Sequence, residues 1–174
     1  MKVIGLSGGE IIELVEETVS LFSKLPDMAL KNCAYFTLRD DLDGRVILSS
    51  QVNICPREKF FKYFSLSLEK GQRLFTLQSH HSSFQSRDES AIITDIGGNE
   101  QNWGQWGGAI RLTDGHLILS LSGLPEMGDE AVMLVVAIRA GWLGGSEAKT
   151  IATISKNPYF EPLLKMFGLL PPSI

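Results

Sequence analysis

The sequence predicts an α/β (α+β) fold: a single domain, residues 1–174, with an antiparallel sheet of about five strands, helices packed on it and an extra C-terminal helix. Three observations point there. Two pairs of short apolar–polar stretches meet at glycine-closed turns, Asp41-Leu42-Asp43-Gly44 and Asp114-Gly115, as antiparallel hairpins do. A segment with the 3.6-residue period of a helix follows each hairpin, and another precedes both. The chain has 174 residues, 44% of them hydrophobic, with 9 Phe and 3 Trp, which is enough for one domain with a real core.

Ser7 to Lys24 reads as the first helix. Ser7 or Gly8 caps it, Glu10 supplies an early acid, and Ile11, Leu14, Val15, Thr18 and Leu21/Phe22 form its inner stripe. Glu10, Glu13, Glu16 and Glu17 read as a solvated face. The first hairpin joins Tyr35–Arg39 to Val46–Ser50. A two-residue turn at Asp43-Gly44 sets Leu38 against Ser49. An odd-length loop with Gly44 left-handed sets Leu38 against Val46 and Phe36 against Leu48, and the apolar match favours the latter. Cys55-Pro56 then opens a helix with Phe60/Phe61, Phe64 and Leu68 as its buried side, ending near Gly71.

Residues 78–106 form a polar insert rich in Ser, Gln, Asn and Gly, with a short strand at Ala91–Ile96. The second hairpin follows. A type I′ turn at Asp114-Gly115 pairs Thr113 with His116, Leu112 with Leu117 and Ile110 with Leu119. Ile110, Leu112, Leu117, Leu119 and Leu121 then face the core. Arg111, Thr113, His116, Ser120 and Ser122, with Ile118 as an apolar exception, face a mostly wet side. Asp129 and Glu130 stand where a helix N-terminus favours acids, and Glu130 to Trp142 is apolar on both faces. One sheet cannot cover such a helix, so either the C-terminal extension (155–174, a helix opened by Ser155-Lys156-Asn157-Pro158) or a second subunit must. A homodimer or higher oligomer is the expectation.

The net charge of −4 opposes a generic electrostatic grip on nucleic acid or an anionic membrane. Two cysteines, Cys33 and Cys55, make no disulfide framework. The first residues lack the apolar core of a signal peptide, and the longest apolar run, Ala131 to Ile138, is too short to span a bilayer. A soluble, cytoplasmic protein is the expectation.

The helix–hairpin–helix–loop–hairpin–helix order is found in profilin-like folds. Asp41-Leu42-Asp43-Gly44 at a strand end, Lys70 near the end of the next helix, Gly107-Gly108 opening a strand and Ser122-Gly123 closing the next together resemble the GlcG/HbpS-like family over roughly Ile11 to Gly141. The proline of the family's Gly-Gly-x-Pro is replaced, since Gly107-Gly108 is followed by Ala109-Ile110. The resemblance implies a small-ligand-binding or sensor-like module, with haem or a related tetrapyrrole as the cofactor and an oligomer as the assembly, and it implies no enzyme activity.

The residues supply a candidate set for such a ligand. His80 and His81 stand side by side in the polar insert, without the spacing of a closed metal site, and the plain reading is two exposed loop histidines. One imidazole suffices as an axial haem ligand. Trp103 and Trp106 flank the entry to the core strand, either capping the core edge or walling a pocket. Arg111 and His116 project from the wet side of the second hairpin, where Arg111 has no evident structural task. The expected site is therefore the helix-free face of the sheet beside the insert. A thiol-dependent enzyme or redox protein and a purely structural homo-oligomer subunit without a ligand are the alternatives. Cys55, beside a helix N-terminus and Arg57, suits a thiolate of depressed pKa in a thiol-dependent enzyme or redox protein, against the commoner fate of a small buried residue. Ser122 lacks both glycines of a nucleophile elbow and reads as a turn serine.

Overall fold

The computed structural model describes residues 2–3, 5–87, 92–94, 100–102, 106–112 and 114–169. A short hairpin, β1 (Lys2–Val3) with β2 (Leu6–Ser7), leads into α1 (Gly8–Phe22). Of the two candidate caps, Ser7 is the one used, and it forms a capping box: the Ser7 amide donates to Glu10 Oε2 at 2.7 Å and the Glu10 amide to Ser7 Oγ at 3.3 Å. Then come β3 (Ala34–Asp40), β4 (Val46–Val52), α2 (Arg57–Thr76), β5 (Ile92–Thr94), β6 (Glu100–Asn102), β7 (Ala109–Leu112), β8 (Leu117–Ser122), α3 (Glu126–Arg139), α4 (Gly145–Ser155) and α5 (Phe160–Met166). The fold is α+β. Four antiparallel strands run in the order β4-β3-β8-β7, and β5 pairs separately with β6. Along the β7 edge the insert adds a fifth extended segment: Ser82 bridges Ile110, the Arg111 amide donates to His81 O at 2.9 Å, and the Ser83 amide donates to Ala109 O at 2.9 Å.

The second hairpin has the expected register, Leu112 opposite Leu117 and Ile110 opposite Leu119. Its turn differs. The left-handed residue is His116 (φ 49°), one place later than a type I′ turn at Asp114-Gly115 requires. Thr113 lies outside the described residues. In the first hairpin Gly44 is left-handed (φ 75°) as expected, but Leu38 faces Leu48 and Phe36 faces Ser50, with a bulge between Leu38 and Arg39 that brings Arg39 opposite Val46. The bulge lets Arg39 turn back, where its Nη1 donates to the Gly44 carbonyl.

The larger correction concerns the face expected to be wet. Helix α2 lies across β8, β3 and β7, and Arg111, Ser120 and Ser122 are buried beneath it. The helix also runs five residues past Gly71. Its buried residues are Leu66, Ser67, Lys70, Gly71 and Leu74, while Phe61 is 52% exposed and Phe60, Phe64 and Leu68 are half-buried. Small polar side chains make this close approach work. Ser120 Oγ donates to Ser67 O at 2.7 Å, Ser67 Oγ donates to Ser120 O at 3.2 Å, and Thr37 Oγ1 stands 3.1 Å from Ser67 Oγ. A strip of Ser and Thr that reads as solvated in sequence is a hydrogen-bonded helix seat.

On the opposite face, α1 and α3 cover the aliphatic side of the sheet, and α4 and α5 cover α3 in turn. Residues 128–137 of α3 are all buried. The second apolar face of α3 is thus covered within the chain, and no subunit contact is needed there. Helix α4 was not expected from the sequence; it docks Ala148, Ile151 and Ala152 on the core. Buried Glu130 ties the layers together, accepting from Ser82 Oγ, Ser155 Oγ and, at 3.1 Å, Asn157 Nδ2. Among the described residues no helix is long and apolar enough to cross a membrane.

Candidate functional site

The β7–β8 hairpin has two ends, and the predicted site residues divide between them. At the turn end stand Arg111, His80, His81 and His116. Arg111 is 3% exposed and fully engaged. Its Nε donates to Asp41 Oδ2 at 2.8 Å and its Nη1 to the carbonyls of His80 (2.9 Å) and Leu77 (3.3 Å). Its Nη2 reaches the carbonyls of Leu74 and Phe75. Arg111 therefore caps the C-terminal turn of α2, where the last carbonyls lack helical partners and the helix dipole favours a cation. That is the structural task the sequence left unassigned, and it uses the guanidinium that a ligand carboxylate would need. His81 and His116 are exposed, and His80 is half-buried with its Nδ1 enclosed. Among the described residues no group of His, Cys, Asp and Glu is arranged to hold a metal ion.

Cys55 lies two residues before α2 and is half-buried. Its thiol points at the Ala34 carbonyl (3.6 Å), and burial together with the adjacent Cys33 pushes it up to about 12. This is the opposite direction from the depressed pKa that a thiolate nucleophile needs. Trp103 lies outside the described residues, while Trp106 is 40% exposed at the other end of the hairpin.

That other end holds a cavity of about 280 Å³. Helix α2 contributes Lys62, Tyr63, Leu66 and Lys70; the β8–α3 connection contributes Ser122, Gly123, Leu124, Pro125, Glu126 and Asp129; Lys31 and Trp106 complete the wall. On its floor Lys70 and Asp129, both about 2% exposed, form an ion pair of 2.8 Å. Lys70 Nζ also donates to Leu121 O at 3.0 Å, and Asp129 Oδ1 accepts the Leu124 amide at 3.0 Å. Burial raises the Asp129 carboxyl to about 6, against the pull of Lys70 and the backbone amides of Leu124 and Gly123. It is still ionised at neutral pH, so the pair is ionic there.

Gly108 makes room for this pair, and Gly123 lets the β8–α3 connection pass close to the start of β3. Gly108 has φ 114°, and a Cβ on it would stand 2.6 Å from Asp129 Cβ and 2.9 Å from Lys70 Nζ. Gly123 has φ 145°, and a Cβ there would meet Cys33 O at 2.4 Å. Lys70, Gly107-Gly108 and Ser122-Gly123, three of the motifs singled out in the sequence, thus converge on one floor; Asp41–Gly44 lies at the far end. Sequence reasoning placed Asp129 only as a favourable helix-start acid, and it missed Lys31, Lys62 and Tyr63. The one available signal was a lysine on the inner stripe of an amphipathic helix.

The rim is cationic. Glu126 is engaged by Arg87 Nη1 at 3.1 Å, whereas Lys31 and Lys62 have no ion-pair partner among the described residues. Fold and cavity together define a small α+β protein with one sheet between helical layers and a compact polar cavity where β8 turns into α3. No protein-family model, curated protein or solved structure matches the chain. The GlcG/HbpS-like resemblance rests on its short motifs alone.

Proposed function

We propose that this chain is a small-ligand-binding module, and that its ligand is a compact anion, carboxylate or phosphate in chemistry, held where β8 turns into α3. One observation carries the reading: a cavity with a buried ion pair as its floor and, on its wall, Lys31 and Lys62, which have no ion-pair partner among the described residues. The paired floor fixes the shape of the site, the free amines supply its charge, and Tyr63 and Trp106 supply amphipathic surface. Haem fits less well. Its candidate histidines and arginine stand at the turn end of the hairpin, and Trp106 at the other. A cavity of about 280 Å³ also lies just below the range of about 300–1,000 Å³ usual for small-molecule sites.

Thermal denaturation with added sulfate, whose charge is constant across the pH range used, tests this. Saturating sulfate is expected to raise Tm in wild type, by about 2–4 °C per kcal/mol of linked binding energy. Lys31→Ala combined with Lys62→Ala should abolish the rise. Protonating Asp129 leaves the site more positive, so sulfate should bind more tightly as pH falls through about 6. Equal shifts in wild type and the double variant would refute the site. A saturable Soret band on haem titration, with no response to anions, would replace it with the tetrapyrrole reading.

A further inference from the structure

Strand β4 is an edge of the main sheet, and among the described residues it pairs only with β3. Edge strands that must stay single are usually blunted by charge, proline or an outward bulge. The seven residues of β4, Val-Ile-Leu-Ser-Ser-Gln-Val, contain no charge, proline or glycine; a bulge at Ile47 interrupts the strand near its start, and Leu48 to Val52 pair regularly with β3. Helix α2 carries an uncharged flank: Phe60, Phe61, Phe64, Leu68, Gln72 and Phe75 follow one another at helical spacing. Phe60 and Phe64 edge against Tyr35 of β3, while Phe61 stays 52% exposed. Large apolar side chains are also bare at both ends of the strand: Leu42 is 71% exposed and Ile54 is 91% exposed.

The two ends carry opposite charge. With Asp41 held by Arg111, the β3–β4 turn offers Asp40 and Asp43 against one Arg45, while the opposite end, leading into α2, holds Arg57 and Lys59 against Glu58. A strand with opposite charges beyond its two ends is complementary to an antiparallel copy of itself.

We propose that β4 pairs with β4 of a second copy of this chain about a twofold axis at Ser49, joining two four-stranded sheets into one of eight. The axis sets Leu48 opposite the second copy's Ser50 and brings each acidic turn to the other chain's basic end. The bare Leu42 and Ile54 then close over one another, and both Phe flanks lie on the same face of the joined sheet. Such an interface is isologous, as a C2 dimer requires, and its backbone hydrogen bonds supply the affinity. The two opposite-charge contacts set the antiparallel direction and the register.

Sedimentation velocity at micromolar concentration decides the matter. Wild type is expected at twice the mass of one chain. Ser49→Lys sets two ammonium groups face to face on the axis and should give a monomer with the wild-type far-UV circular dichroism spectrum. Asp43→Arg and Arg57→Asp should each weaken association at least tenfold, and the double variant should recover it. A monomeric wild type overturns the proposal, as does a Ser49→Lys variant that remains dimeric. If Ser49→Lys fails to fold, the charge reversals decide: single variants that associate as tightly as wild type place the interface elsewhere.

Discussion

Arg111 shows how far a side chain's task can lie from its sequence neighbours. It sits on β7, yet it closes α2 by gathering carbonyls from Leu74, Phe75, Leu77 and His80 while pairing with Asp41. Removing it uncaps the helix and leaves the Asp41 carboxylate, 13% exposed, without its partner. Arg111→Ala should cost about 3–5 kcal/mol, because the remaining charge loses its compensation. Arg111→Lys should cost less, but still measurably, since one ammonium cannot reproduce the guanidinium fork. Urea denaturation midpoints at constant m-value separate the two. An Arg111→Ala protein as stable as wild type would return this residue to the list of free ligand-binding cations.

Among the elements, the seat of α2 is the part most open to test by glycine substitution. Gly71 faces the sheet, but a Cβ there would meet Arg39 Nε and Ser120 Cβ at 3.6 Å, an ordinary van der Waals distance. Gly71→Ala should therefore stabilise the protein by up to about 1 kcal/mol, the helix propensity difference between the two residues. Gly108 is the reverse case. Its positive φ and the 2.6 Å approach to Asp129 Cβ leave no space, so Gly108→Ala should cost about 2–4 kcal/mol and split the Lys70–Asp129 pair. Calorimetric Tm values of opposite sign for the two glycine-to-alanine changes are the expected result. A destabilising Gly71→Ala would mean that α2 sits closer to β8 than 3.6 Å contacts allow.

At the scale of the whole molecule, the buried acids make stability depend on pH in an unusual direction. Burial raises Glu69 from 4.5 to about 7, even though Arg73 pairs with it at 3.2 Å, and Glu69 Oε2 is enclosed without a hydrogen-bond partner. Asp129 rises from 3.8 to about 6, and Glu130 rises for the same reason. Each of these native-state values lies above the unfolded one, so the native state holds the extra protons. Their contribution is complete below about pH 4 and is lost as pH climbs through about 7. For Glu69 alone the loss is at most about 3 kcal/mol. Denaturation midpoints should fall between pH 4.5 and 7, and Glu69→Gln should remove much of the decline. A Glu69→Gln protein with the wild-type pH profile would show that this carboxyl is solvated in the native state.

Sequence by itself determined the elements whose rules are local. The Ser7–Glu10 capping box, the register of the second hairpin and the left-handed Gly44 depend on neighbours within a few residues, and so does the all-round apolar character of α3. Tertiary structure alone decided what covers what. Ser120 reads as part of a wet face because polarity correlates with exposure, but its hydroxyl bonds to Ser67, which Thr37 joins, and small hydroxyls that bond to one another let a helix approach closely. Helix α4 escaped notice because Gly144-Gly145 reads as a loop and its apolar residues are few. The structure sets the predicted site residues apart. Arg111 and the histidines lie at one end of a hairpin, while Trp106 lies at the other beside a cavity built on Lys70 and Asp129, which are 59 residues apart in sequence. No local pattern records such a pairing. It exists because Gly108 leaves space for an ion pair that only the packed helix and sheet bring within 2.8 Å.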